Sequence, residues 1–134
     1  MSTERPTKVG DIMAVEFLSI DGLATVAEAL SLMRRHRVDA LVVNRRDDND
    51  EAGLALLSDI ARDVIGPNRS PERVNVYEIM NKPAMTLPAE MLARYAVRLL
   101  TRFQVSHAVV VDSDRNPIGL VTVRNLVLGP EPTA

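Results

Sequence analysis

The sequence predicts an α/β fold made of two tandem β-α-β-β-α repeats, packed on each other as a pseudo-twofold pair. Three observations carry this. Residues 108–126 read as strand, tight turn, strand and helix start: an apolar run ends at Asp112, a polar turn holds Asp114, Asn116 and Pro117, and a second apolar run meets Thr122. The same phrase occurs earlier, where Ala40-Leu41-Val42-Val43 leads through an acidic turn to Gly53-Leu54-Ala55-Leu56 and a short helix from about Ser58. A shift of 67 residues then superimposes Val9, Ile12, Met13, Ala29, Leu32, Arg35, Val38, Val42 and Val43 on identical residues at 76, 79, 80, 96, 99, 102, 105, 109 and 110. The shift becomes 66 beyond the turn, where Gly53-Leu54 meets Gly119-Leu120. Repetition with one indel confined to a turn marks a duplicated supersecondary unit, and two copies are too few for an open solenoid.

Taken in order, residues 1–8 read as a loose polar arm, 9–65 as the first repeat, 66–75 as a linker, 76–128 as the second repeat and 129–134 as a tail. In the first repeat, 17–20 is a short strand. Thr25-Val26-Ala27-Glu28 has the Thr-x-x-Glu form of a capping box and opens a helix whose end carries Arg34, Arg35 and Arg37, as the helix dipole favours. Residues 40–43 form an unbroken apolar run, the mark of a buried strand. The second repeat follows suit, with a strand at 85–87, a helix from about Ala89 or Glu90 to Phe103, and a strand at 108–111. Its helix lacks the capping box, because Leu92 stands where Thr25 did; Pro88 and Glu90 are the substitute start signals.

Composition excludes several classes of function. With 134 residues the chain is long enough for one well-buried domain. A net charge of −2 and 3% aromatic residues leave neither an electrostatic pull nor stacking platforms for nucleic acid. There is no cysteine, and the two histidines stand 71 positions apart (36 and 107), so neither a thiolate nor a zinc spacing exists. The acidic run at 47–51 fails as an EF-hand, since Ala52 replaces the sixth-position Gly and Ser58 the twelfth-position Glu; it reads as a solvated hairpin loop. The N-terminus is polar, and no apolar run approaches the ~18 residues of a membrane helix, so a soluble, cytoplasmic protein is expected. No catalytic triad, paired-acid site or phosphate-binding glycine loop is present, and an enzyme is not expected.

The ordered set of Asp11-Ile12-Met13 and Glu78-Ile79-Met80, the Ala24-Thr25-Val26 helix start, the Val-Val-Val strand ending at Asp112, and Gly119-Leu120-Val121-Thr122-Val123-Arg124-Asn125 resembles a pair of cystathionine-β-synthase-type (CBS) domains over residues 8–128. The resemblance implies binding of an adenosine-containing ligand (AMP, ADP, ATP or S-adenosylmethionine) in a cleft between the repeats, regulation of a partner protein, and homodimerisation. No covalent cofactor is implied. The family's ligand motif is Gly-h-x-Thr/Ser-x-x-Asp, in which the hydroxyl and the helix-start amides meet phosphate and the carboxylate accepts ribose hydroxyls. Both copies depart from it: Thr122 is followed by Asn125 in place of Asp, and Asp59 is preceded by Leu56 in place of Thr/Ser.

The resemblance makes Asp59, Thr122 and Asn125 candidate ligand residues. Ser58 is a candidate stand-in cap, Arg124 and His107 candidate phosphate neighbours, and Ile20 and Met85 candidate strand residues around adenine. Each has a plainer reading. Thr122 caps a helix, Asp59 is a first-turn acid, Arg124 is a solvated helix arginine and His107 opens a strand. The alternative function is a ligand-free dimerisation or protein-interaction module with degenerate sites. The apolar breadth of the second helix, which includes Leu92, Tyr95, Val97, Leu99 and Leu100 beside Met91, suits a dimer contact.

Overall fold

The computed structural model describes residues 7–129. The expected arm lies outside the described residues as far as residue 6, and the expected tail from residue 130 on. The elements are, in order, α1 (Val9–Ile12), β1 (Ser19–Ile20), α2 (Val26–His36), β2 (Ala40–Val43), β3 (Gly53–Leu56), α3 (Leu57–Ile60) continued by a π-helical turn (Ala61–Ile65), single 3-10 turns at Pro71–Arg73 and Val76–Glu78, β4 (Thr86–Pro88), α4 (Ala93–Arg102), β5 (His107–Val111), β6 (Pro117–Thr122) and α5 (Val123–Leu128). The β-α-β-β-α order occurs twice, as the repeat requires.

These elements form two compact units that do not follow chain order. Phe17–Ala84 is one; the described residues before Phe17, together with those from Met85 on, are the other. In the first unit β1 pairs parallel with β2 and β2 antiparallel with β3, with Val42 opposite both Ser19 and Leu54. All four β2 residues are buried, which explains its unbroken apolar run. Helix α2 lays Val26, Ala29 and Met33 against Ile20, Leu41, Val43 and Ala55 to make the core. The capping box forms: Thr25 Oγ1 accepts from the Glu28 amide at 3.1 Å, and Glu28 Oε2 accepts from the Thr25 amide at 3.2 Å. The helix ends with Arg37 in the left-handed region (φ 56°) and the Val38 amide bonded to Met33 O at 3.0 Å, a Schellman closure. In the second unit β4, β5 and β6 repeat the sheet, over a core of Leu87, Ala96, Leu100, Ala108, Val110 and Val121.

Each unit takes in the opening segment of the other repeat. Val76 is fully buried in the first unit, where its amide donates to Ala24 O and the Val26 amide donates to Val74 O, both at 2.8 Å. Val9 is the counterpart in the second unit, donating to Met91 O, while the Ala93 amide donates to Thr7 O, both at 2.8 Å. Further along, Asn81 pairs with Leu54 beside β3, and Ala14 pairs with Leu120 beside β6. A glycine in each third strand makes room for this: a Cβ on Gly119 would lie 2.8 Å from Met13 Cγ, and one on Gly53 3.2 Å from Asn81 O.

This exchange corrects three expectations. Helix α4 starts at Ala93, not at Ala89 or Glu90. The carbonyls of Ala89 and Met91 accept from the Gly10 and Val9 amides, so residues 89–92 cannot wind into the helix, and Pro88 belongs to β4 opposite Val111. The first strand of each repeat is shorter or shifted, to 19–20 and 86–88, although Leu18 O and Met85 O still accept from the Val42 and Val109 amides. The acidic loop is not merely solvated. Asp50 keeps 13% of its side-chain exposure, accepts from the Arg46 amide at 2.8 Å and takes the Lys82 ammonium at 2.6 Å. The bond to Lys82 holds the Asp50 carboxyl well below the usual carboxylate range.

Two outcomes follow from this packing. Gly119→Ala is expected to lower the unfolding free energy by about 1–3 kcal/mol in urea titrations, because the near end of Met13 has to move; an unchanged midpoint would contradict the packing of Met13 on β6. Asp50→Asn is expected to lower the melting temperature at neutral pH. A depressed folded-state pKa contributes stability that is full above the unfolded value of ~3.9 and is lost as pH falls below it, so the gap to wild type should close in that acid range. A gap that persists unchanged well below it would show that the Lys82 pair is not its source.

Candidate functional site

The candidate residues gather at two equivalent strand-to-helix junctions, one in each unit, except Ile20, which stands opposite Val43 at the other end of its sheet. In both, the first helical amide is already engaged by a strand-opening carbonyl: Leu57 N donates to Asp39 O at 2.9 Å and Val123 N to Ser106 O at 3.0 Å. The helix starts are thus pinned to the sheet, and register fixes their neighbours. Ala40 stands opposite Leu56, and His107 opposite Thr122.

At the second junction Thr122 is the cap of α5. Its hydroxyl accepts from the Asn125 amide at 3.0 Å and donates to Asn125 Oδ1 at 2.6 Å. Thr122 and Asn125 therefore close on each other. The Asn125 side-chain NH2 still supplies donors where the family's Asp would supply only acceptors. His107 lies across the strand pair from Thr122, with Nδ1 hydrogen-bonded to Ser106 Oγ at 2.7 Å. Arg124 is exposed on α5. Met85 precedes β4 at the same end of the sheet, partly buried against the core. The structure thus brings Thr122, Asn125, His107 and Met85 to one sheet end, with Arg124 beside them.

At the first junction Asp59 is 8% exposed, the one buried charged residue among those described. Asn81 Nδ2 donates to its Oδ2 at 2.7 Å, and Arg62 Nη2 approaches Oδ1 at 3.2 Å. Arg62 also forks onto Asp63 with two contacts of 2.9 Å. The Asp63 carboxylate, with Asp59 behind it, raises the guanidinium pKa, and the same fork lowers that of Asp63. Leu56 occupies the cap position of α3 with no side-chain bond. Ser58 is not the stand-in cap: it is an exposed residue inside the helix, one position past the first helical residue, because Asp39 O already engages the helix start. Ile20 is 7% exposed and packs into the core of its unit, and it matches Leu87 in the other unit. The residue that matches Met85 under the 67-residue shift is Leu18.

Sequence reasoning missed Arg62 and Asn81. Arg62 was within reach of the i, i+3 rule from Asp59. Asn81 had no local signal, since it is 22 residues away and arrives only with the exchanged segment. Among the described residues no group of three or more His, Cys, Asp or Glu side chains could hold a metal ion, and no helix is long and apolar enough to cross a membrane. Asn81→Ala is expected to destabilise the protein by about 1–3 kcal/mol in urea or thermal unfolding, because a buried carboxylate loses its shortest partner; a neutral effect would contradict the coupling of Asp59 to the exchanged strand.

Comparison with known proteins matches this architecture. The CBS domain family profile matches the chain twice, at residues 9–66 and 76–129. The choline transport ATP-binding protein OpuBA of Bacillus subtilis is 34% identical over 120 residues, covering 90% of this chain and 30% of that protein. The chain spans from 24% to 62% of the length of the curated relatives it matches. A hexameric CBS-CP12 protein from bloom-forming cyanobacteria superposes with a TM-score of 0.90 at 28% identity, covering 95% of this chain and 70% of that one. The CBS domain of a bacterial CNNM/CorC family Mg2+ transporter, in complex with ATP, superposes with a TM-score of 0.75 at 30% identity, covering 90% and 84%. The duplicated β-α-β-β-α frame, its matching junctions and these likenesses agree: the chain belongs to the CBS domain family and carries two CBS domains, a pair of the generally regulatory, ligand-binding kind.

Proposed function

We propose that this CBS pair is a non-catalytic sensor that binds an adenosine-containing ligand (AMP, ADP, ATP or S-adenosylmethionine) and signals to a partner protein, as a homodimer in the cytoplasm. The observation that carries the reading is the buried Asp59 carboxylate at a helix start. A carboxylate offers about four lone-pair sites. Asn81 and Arg62 take one on each oxygen, so one on each remains for a pair of ribose hydroxyls. Thr122, Asn125 and His107, with Arg124 nearby, form the equivalent half-motif at the other junction, with Thr122 in the phosphate position and Asn125 in the ribose position. The ATP complex of the CNNM/CorC neighbour supports the ligand class.

Asn125 tunes this site and does not abolish it. A bond to a charged group contributes about 1.5–3 kcal/mol and a neutral one about 0.5–1.5, so exchanging Asp for Asn costs ribose binding about 1 kcal/mol. The same exchange removes a negative charge from beside a phosphate. Asn125→Asp is therefore expected to change the preference between S-adenosylmethionine and ATP toward S-adenosylmethionine, whose tail is net cationic and carries no phosphate.

A second reading, a ligand-free dimerisation or interaction module, is favoured by the closed Thr122–Asn125 pair. Titration calorimetry with the four ligands separates the two. The sensor reading predicts heat with at least one of them, and at least a tenfold loss of affinity in Asp59→Ala from the two charge-assisted bonds removed. Absence of heat with all four, together with unchanged self-association in Asp59→Ala and Thr122→Ala, would establish the ligand-free module instead.

A further inference from the structure

The first unit carries a recess at the opposite end of its sheet from Asp59. It lies past the C-terminal ends of β1 and β2, has a volume of about 550 Å3, and is lined by residues of the β1–α2 turn, the β2–β3 loop and the exchanged segment. Val43, Met80 and the aliphatic part of Leu23 give it an apolar floor and rim, and Arg45, Arg46 and Lys82 supply three cations. Two carboxylates oppose them. Asp21 lines the recess and accepts from the Leu23 amide at 2.8 Å, and Asp50 takes Lys82 at 2.6 Å and approaches Arg46 Nε at 3.5 Å. Among the lining residues three cations stand beside one carboxylate, Asp21, and Arg46 keeps 86% of its side-chain exposure and so is able to swing inward.

The duplicated frame supplies an internal control. The matching end of the other sheet also has a recess, of about 460 Å3. Under the 67-residue shift Arg45 and Arg46 become Asp112 and Ser113, and Leu23 becomes Glu90. All three of these line that second recess. The same backbone position is therefore cationic and partly apolar in one unit and anionic in the other. The cationic character is a property of these side chains and not of the fold. Volumes of ~300–1,000 Å3 with an apolar floor and a few convergent polar groups are typical of small-molecule sites, and guanidinium groups suit phosphate oxygens.

We propose that this recess is a second ligand site, separate from the adenosine site, that takes a small organic phosphate: an apolar ring or chain against Val43, Met80 and Leu23, and the phosphate against Arg45 and Arg46. Lys82 stays with Asp50 and shapes the wall. The proposal stands whether or not Asp59 binds a nucleotide.

Amide NMR of the full chain, titrated with phenyl phosphate, tests it, with phenol and inorganic phosphate as separate arms. Phenyl phosphate is expected to shift Gly22, Leu23, Asn44 and Met80 and to bind more tightly than either fragment. The double substitution Arg45→Asp/Arg46→Ser, which installs the residue types of the other unit, is expected to weaken it by about tenfold or more. Arg46→Gln alone, at a mostly exposed side chain, should give a smaller loss in the same direction, and Asp59→Ala should leave the titration unchanged. The proposal is overturned by shifts centred on Asp112 or on Asp59, by equal affinity in wild type and both arginine variants, or by no shift up to the solubility of the probe.

Discussion

A three-stranded sheet with one helix across it cannot close its own outer edge, and the rest of this structure depends on how that edge is closed. The third strand of each unit would otherwise present unpaired N–H and C=O groups, a cost to stability and a template for aggregation. Here Asn81 closes β3 and Ala14 closes β6 by paired backbone bonds of 2.8–3.0 Å. Neither segment belongs to the repeat whose edge it closes. The opening residues Val9 and Val76, both fully buried, anchor the exchange. The repeat in sequence and the compact unit in space are therefore different objects.

The same exchange shapes the site. Asn81 closes the β3 edge with its backbone and holds Asp59 with its side chain. One and three positions later the chain is clamped again, by Lys82 on Asp50 and by the Ala84 amide on Ala52 O at 3.0 Å. A carboxylate fixed in this way loses little conformational entropy when a ligand arrives, which is the benefit of preorganisation. The other junction has a local solution, the mutual closure of Thr122 and Asn125. One half of the motif is thus held by a distant segment and the other by its own helix turn.

Much of the fold was legible because its signals are local and repeated. The Thr25–Glu28 capping box, the apolar run of β2 and the 67-residue shift each describe features that formed as read. What was not legible depends on backbone bonds with segments remote in sequence. Nothing in Ala89 to Leu92 announces that two of its carbonyls serve residues 9 and 10, and so the start of α4 was placed too early. Nothing near Ser58 shows that Asp39 O already occupies the helix start. Asn81 was invisible as a partner of Asp59 for the same reason. The candidate residues Asp59, Thr122 and Asn125 were singled out through the resemblance to the CBS family, whose motif falls within one turn of helix and can be matched locally.

The most direct measurement is of the Asn81 side-chain amide by NMR during titration with ATP. Its Nδ2 group sits 2.7 Å from the carboxylate oxygen that is to share a ribose hydroxyl. The account predicts that both side-chain amide resonances of Asn81 shift with the same saturation midpoint as the backbone amide of Asp59. ATP that leaves Asn81 and Asp59 at their free positions at millimolar concentration would contradict it.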